Sequence, residues 1–376
     1  MSKAMIRQRE VLKTIDRFLG GALVWLFRPP KSISDQESLS MIRTILVIRP
    51  GGMGDALLLI PLLQAIHRRF PSATIEVLAE RRNTEIFGLT PNLVSKVLCY
   101  DRIGDFLRVL GRRYDVVIDT EQWYRLSAVA ARLIRAERRI GFATNERRRL
   151  FNIPVAYDQG RYEAENFLAL LGGLTGELFS LDPDRPFLTV RTVPRGNPLS
   201  EQSGRAPITV LIAPGAGYPE KQWGPEKFRQ LAEWLVENGY SAGLIGGPAD
   251  IHLAGDITKG LPVQNFAGRT PLRETARLIA TAALVIGGDS VALHLAAAFG
   301  TPSIALFGPT PPSQWAPPGK GHRTLYHPPP CSPCSRFGHI PPCPYDVDCL
   351  KRVTVEEVFA AVREILPVPI LKPSGQ

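Results

Sequence analysis

Short apolar runs alternate with longer amphipathic stretches along most of this chain. The first half predicts strands over residues 44–49, 74–78, 96–100 and 116–119, with helices over 55–69, near Thr84 and over 103–110. The second half predicts strands over 209–212, 241–245, 263–265, 284–286 and 303–306, and a last helix over 355–365. Such alternation implies parallel sheets covered by helices on both faces. Pro61 falls inside the first helix and should kink or break it near Ile60. Residues 191–207 hold no sustained apolar period and are rich in chain breakers, which marks a linker between two α/β domains.

Three strand ends carry candidate chemistry. Ile45-Leu-Val-Ile-Arg-Pro-Gly-Gly-Met-Gly-Asp55 runs an apolar strand into a glycine turn and delivers a carboxylate where a helix begins. Glycine there permits close backbone approach by a ligand, and the free N–H groups of a helix start favour anions. The G-x-G-x-x-G dinucleotide fingerprint fails, because Leu57 holds its third glycine position counted from Gly52, and no P-loop pattern occurs. Ala283 to Thr310 reads as a β-α-β unit, with Ser290 placed to cap its helix and Asp289 and His294 near the first turns. Val210 to Trp223 reads as a strand opening into a glycine-rich loop that carries Lys221.

The chain has 376 residues and 44% hydrophobic content, enough for two cores. Lysine and arginine exceed the acids by ten. This favours anionic partners such as nucleotide diphosphates, phosphorylated glycolipids or a membrane surface. Nucleic acid is not expected, since no helix-turn-helix, RRM or zinc-finger pattern organises the charge. Residues 1–31 hold seven Lys/Arg, with Val11, Leu12, Ile15, Phe18, Leu19, Ala22, Leu23 and Leu26 at helical spacing. The apolar run from Phe18 to Phe27 lacks a cleavage site and is too short to span a bilayer. Two readings stand for this extension: a helix on the cytoplasmic leaflet, or one packed on its own domain or a partner subunit. Cys331, Cys334, Cys343 and Cys349 have the count for a zinc site, with unligated thiols as the other reading, and Cys99 reads as a buried strand residue.

Taken together and in this order, the motifs resemble those of glycosyltransferase family 9, the family of the ADP-heptose:lipopolysaccharide heptosyltransferases. They are Gly52-Met53-Gly54-Asp55; Pro214-Gly215-Ala216 with Lys221 and Trp223; Gly288-Asp-Ser290 with His294 and Ala296; and Gly308-Pro-Thr310. The resemblance spans roughly residues 43–366 and implies a GT-B architecture, two Rossmann-like doubly wound domains facing a cleft. The expected layout is a basic extension (1–40), an acceptor domain (41–190), the linker (191–207), a nucleotide-sugar domain (208–350) and a segment (351–376) whose helix returns to the first domain.

The resemblance implies transfer of a heptose from an ADP-sugar to a lipopolysaccharide core or similar glycolipid, with inversion, at the inner face of the cytoplasmic membrane. Asp55 is then the base for the acceptor hydroxyl, and Lys221 contributes to catalysis by holding the diphosphate. Gly215, Ala216, Lys221, Gly246, Gly247, Asp289, Ser290 and His294 are the expected donor contacts. Asp289, repelled by a diphosphate, is expected to accept from sugar hydroxyls or backbone. Gly52, Met53, Gly54, Arg138 and Arg139 are the expected acceptor contacts, the arginines from a segment, 125–149, with eight of them. No metal or cofactor is expected, as no D-x-D pair stands at the corresponding strand end. A UDP- or GDP-sugar donor, an epimerase of the same fold and a non-catalytic basic module are the alternatives.

Overall fold

The computed structural model describes residues 16–31, 37–190 and 210–367. The chain divides into two compact units, Met1–Leu181 and Asp182–Gln376. In the first, strands β1 (Thr44–Arg49), β2 (Thr74–Ala79), β3 (Lys96–Cys99), β4 (Arg113–Asp119), β5 (Arg135–Phe142) and β6 (Ile153–Val155) form one sheet of order β3-β2-β1-β4-β5-β6. Every pairing is parallel, with Ile45 opposite Ile75 and Val116. After Thr44, all of β1 is buried, as a central parallel strand covered on both faces must be. Cys99 ends β3 in the core.

Helices α1 (Gly21–Leu26), α2 (Met53–Leu58), α3 (Ile60–Arg69), α4 (Ile103–Leu110), α5 (Arg125–Leu133) and α6 (Glu163–Thr175) belong to this unit. The helix expected over 55–69 is two, because Pro61 lacks an N–H and can join only the first turn of α3, so the break falls at Leu59. The described part of the N-terminal extension packs on its own unit. Val24 is fully buried among Leu46, Val117 and Ala128, and the Asp16 carboxylate accepts from the Arg125 and Leu126 N–H groups at 2.8 and 2.7 Å, satisfying the start of α5. Residues 1–15 lie outside the described residues.

The second unit repeats the scheme. β7 (Val210–Ala213), β8 (Ala242–Leu244), β9 (Gln264–Asn265), β10 (Leu284–Gly288), β11 (Ser303–Phe307) and β12 (His322–Tyr326) form an all-parallel sheet of order β12-β11-β10-β7-β8-β9. Its main helices are α7 (Pro225–Glu237), α8 (Ile251–Thr258), α9 (Leu272–Thr281), α10 (Val291–Phe299) and α11 (Val355–Ile365). The expectation that α11 returns to the first domain is corrected here. Its Val358, Ala361 and Val362, spaced to share one helical face, are buried in the second unit's core with Leu231, Leu235 and Ile286, and Phe359 stacks on Trp234 of α7 at 4.5 Å. The expected boundary at 190 also moves. Leu188 donates to the Ala298 carbonyl at 2.8 Å, and Asp184 accepts from the Lys320 N–H at 2.9 Å, so the chain from Asp182 onward packs on the second unit. The linker, 191–207, lies outside the described residues.

Candidate active site

Each sheet grows in one direction from its first strand and then in the other, so a crevice opens beyond the carboxyl ends of β1 and β4, and of β7 and β10. In open α/β sheets, ligands bind at these switch points.

At the first, the loop after β1 is strapped on every side. The Gly51 N–H donates to Glu80 Oε2 at 3.1 Å, and Asn83 Nδ2 donates to the carbonyls of Arg49 and Gly51, both at 3.2 Å. Arg49 is buried and donates to the carbonyls of Pro50 (2.5 Å) and Thr120 (2.9 Å), with Glu121 Oε2 at 3.7 Å. Gly51 has φ +104°, and a Cβ there would lie 3.0 Å from Arg49 Nη2; one on Gly52 would lie 3.1 Å from Asp55 Oδ2. The glycines leave room for the Asp55 carboxylate in the first turn of α2. Gly51→Ala is expected to cost about 1–3 kcal/mol in a denaturant titration, the usual range for a residue held in a strained region.

Sequence reasoning missed the polar groups behind this loop. The buried Arg147 guanidinium lies 2.5 Å from Asp119 Oδ2 and also donates to the Glu121 carbonyl. Glu163 accepts from Gln122 Nε2 at 2.6 Å and from the Tyr157 hydroxyl at 2.7 Å. Burial raises the Glu121 carboxyl, against the pull of Arg49 and Arg147. Burial, Glu163 and then Asp55 raise the Tyr157 phenol. The only signal in the sequence was the density of charge after β4, which reads equally well as solvated surface.

Arg138 and Arg139, expected to meet an acceptor, are spent inside the fold. Both are buried in β5; Arg139 donates to the carbonyls of Ala131 (3.1 Å) and Ile134 (2.8 Å) at the end of α5, and Arg138 pairs with Glu137 at 3.0 Å. A helix end leaves unpaired carbonyls, and Arg139 supplies two of them with donors. Gly52 caps α2, and Met53 is 39% exposed, open to a ligand.

At the second switch point, Lys221 Nζ lies 2.6 Å from Asp289 Oδ2, and His294 Nε2 lies 3.9 Å from Asp289 Oδ1. Burial opposes ionisation of Asp289, yet the Lys221 ammonium and His294 hold its carboxyl below the usual value. Lys221 is thus a charged partner of Asp289, a pairing that the expectation of sugar or backbone contacts did not include. Ser290 holds the N-cap position of α10 without a side-chain cap bond, and its buried hydroxyl oxygen has no hydrogen-bond partner among the described residues. A Cβ on Gly288 would lie 2.8 Å from the Lys221 carbonyl, so this glycine lets the two loops close on each other.

Asp250, which sequence reasoning did not single out as a site residue, fills the space beside the expected donor glycines. Its carboxylate accepts from the Gly247 N–H at 2.8 Å, and a Cβ on Gly215 or Gly246 would collide with its side chain. Ala216 lies in the same loop as Gly215. The four clustered cysteines are free thiols lining one pocket, where burial pushes Cys349 up to about 11. Among the described residues, no group of three or more His, Cys, Asp or Glu is arranged to hold a metal ion.

The family model for glycosyltransferase family 9 (heptosyltransferase) matches residues 103–341. Lipooligosaccharide heptosyltransferase 2 of Haemophilus influenzae is 28% identical over 306 residues, which cover 75% of this chain and 87% of that protein. Lipopolysaccharide heptosyltransferase 3 of Escherichia coli is 28% identical over 292 residues, covering 70% and 83%. Among solved structures, E. coli ADP-heptose lipopolysaccharide heptosyltransferase II aligns with a TM-score of 0.66 at 22% identity, over 86% of this chain and 98% of that one. E. coli heptosyltransferase WaaC with ADP aligns at 0.65 and 18%, over 85% and 97%. The fold is thus GT-B, and with a family model that spans well over half of its length, this chain belongs to glycosyltransferase family 9 and is a sugar-transferring enzyme.

Proposed function

We propose that the protein transfers a heptose from an ADP-sugar to a lipopolysaccharide core or similar anionic glycolipid, at the cytoplasmic face of the membrane and with inversion. The observation that carries the donor half is the charge arrangement at the second switch point. An ammonium at the loop after β7, an unpartnered Ser290 hydroxyl and the N–H groups opening α10 converge where a leaving diphosphate needs positive charge. In this reading Lys221 takes a phosphate oxygen in place of Asp289 when the donor binds, His294 steadies Asp289, and the reaction needs no metal. In the same reading Gly215, Ala216, Gly246 and Gly247 line the nucleoside, and the Asp250 carboxylate, which lies beside them, accepts from ribose hydroxyls.

The acceptor half rests on Asp55, presented from a loop too well strapped to drift. The acceptor hydroxyl, lying over Gly52, Met53 and Gly54, loses its proton to Asp55 as the bond to the departing ADP stretches. An alcohol is far less acidic than a carboxylic acid, so the proton moves late, when oxocarbenium character has developed. The ADP-heptose part is suggested by the relatives, whose names include ADP-heptose and lipopolysaccharide heptosyltransferases.

Thermal stabilisation by ADP, UDP, GDP and dTDP without added metal tests the donor. ADP at about 100 times its Kd should add roughly 2.7 kcal/mol, and the other three much less. Equal or greater shifts with another nucleotide would reassign the donor.

A further inference from the structure

We infer that the outer face of α1, together with the arginines beneath it, is a docking surface for an anionic phospholipid bilayer. This deepens the proposed membrane partner and rests on that reading. The inner face of α1 is committed to the core through Val24. Its outer side and the turn that leads into it, Asp16–Gly20, are unusually apolar for a segment already docked: Leu19 of that turn is 56% exposed, and Trp25 and Leu26 of α1 are 60% and 76% exposed. Leu19, Ala22 and Leu26 follow one another at helical spacing along one stripe, and Ala22 is exposed as well.

Cations border this stripe. The Arg149 guanidinium lies 3.9 Å from the centre of the Trp25 ring, and Arg132 lies 5.6 Å from that of Phe27. Arg28, Lys31 and Arg148 are exposed. The acids close by are already engaged, since Asp16 is buried against the start of α5 and Glu146 pairs with Arg125 at 2.8 Å. What remains is aromatic and aliphatic surface ringed by cationic charge. An aromatic ring lodges at the headgroup level while lysine and arginine meet the phosphates. A partner of this chemistry suits the surface better than a second copy of the chain, whose identical patch would bring like charges together. Among the described residues no helix is long and apolar enough to cross a membrane, so the attachment is to the surface.

The test is co-sedimentation of the full chain with vesicles of phosphatidylcholine alone or mixed with phosphatidylglycerol. The protein should bind the anionic vesicles, and binding should weaken with salt. Trp25→Ser/Leu26→Ser and, separately, Arg148→Glu/Arg149→Glu should each lower the partition coefficient about tenfold or more, while the thermal shift with ADP stays unchanged, which shows that the variants fold. Absence of binding to anionic vesicles, or equal binding by the variants, overturns the proposal. So does a concentration-dependent dimer that Trp25→Ser/Leu26→Ser abolishes without changing vesicle binding. A missing ADP shift alongside intact vesicle binding would instead count against the donor assignment alone.

Discussion

Asp55→Asn is expected to lower turnover by about 10²–10⁴-fold, the range for removing a general base, while thermal stabilisation by ADP stays at the wild-type level. The asparagine keeps the size of the side chain, and the loop that carries it is held by groups other than Asp55: Glu80, Asn83 and Arg49 bind the backbone from Arg49 to Gly51. Loop geometry should therefore survive the change, and the loss should fall on kcat with acceptor KM little altered. Such a loss corresponds to about 3–5 kcal/mol of transition-state stabilisation. The same variant separates the catalytic role from a capping role. Asp55 sits in the first turn of α2, where a carboxylate also favours the helix dipole. If asparagine cost stability but left sugar transfer intact, the base would have to be sought elsewhere.

The loop around Asp55 was legible because its signal is local. An apolar strand, a glycine turn and a helix start fall within a few consecutive residues, and the physics of each acts over that distance. Strand β5 was not legible, for the opposite reason. Its first residues, Arg-Ala-Glu-Arg-Arg, look like solvated charge, and only the carbonyls of Ala131 and Ile134 at the end of the preceding helix explain why Arg139 is buried. The same holds for α11. Its amphipathic period was plain in the sequence, but an apolar face says that a helix must be covered and not by what, and the analogy with other GT-B enzymes supplied the wrong unit. At the second switch point, Lys221 and Asp289 were each legible as members of a motif. Their pairing across 68 residues was not.

That pairing yields the second large effect. Lys221→Met should destabilise the protein by about 3–5 kcal/mol, the usual consequence of leaving a buried charge without its partner, nearer the lower figure because the Lys221 side chain keeps 17% of its exposure. For a unit the size of Asp182–Gln376, which carries the pair, the midpoint of thermal unfolding should fall by about 6–12 °C. The pH dependence identifies the cause. In the wild type, Asp289 titrates below its ordinary value of 3.8, so the pair's contribution is complete above that pH and is lost as the pH falls through the folded-state value. Without Lys221, only the weaker pull of His294 at 3.9 Å is left to oppose burial, so Asp289 should rise, and the variant's deficit should be greatest at neutral pH and narrow on acidification as the buried carboxyl takes up its proton. Lys221→Met/Asp289→Asn removes the stranded charge and should regain much of the stability at neutral pH. It should not regain ADP binding, because the cation proposed to meet the diphosphate is still missing. Recovery of both together would mean that Lys221 serves only to neutralise Asp289; stability returning without binding would mean that Asp289 stores the ammonium for the donor.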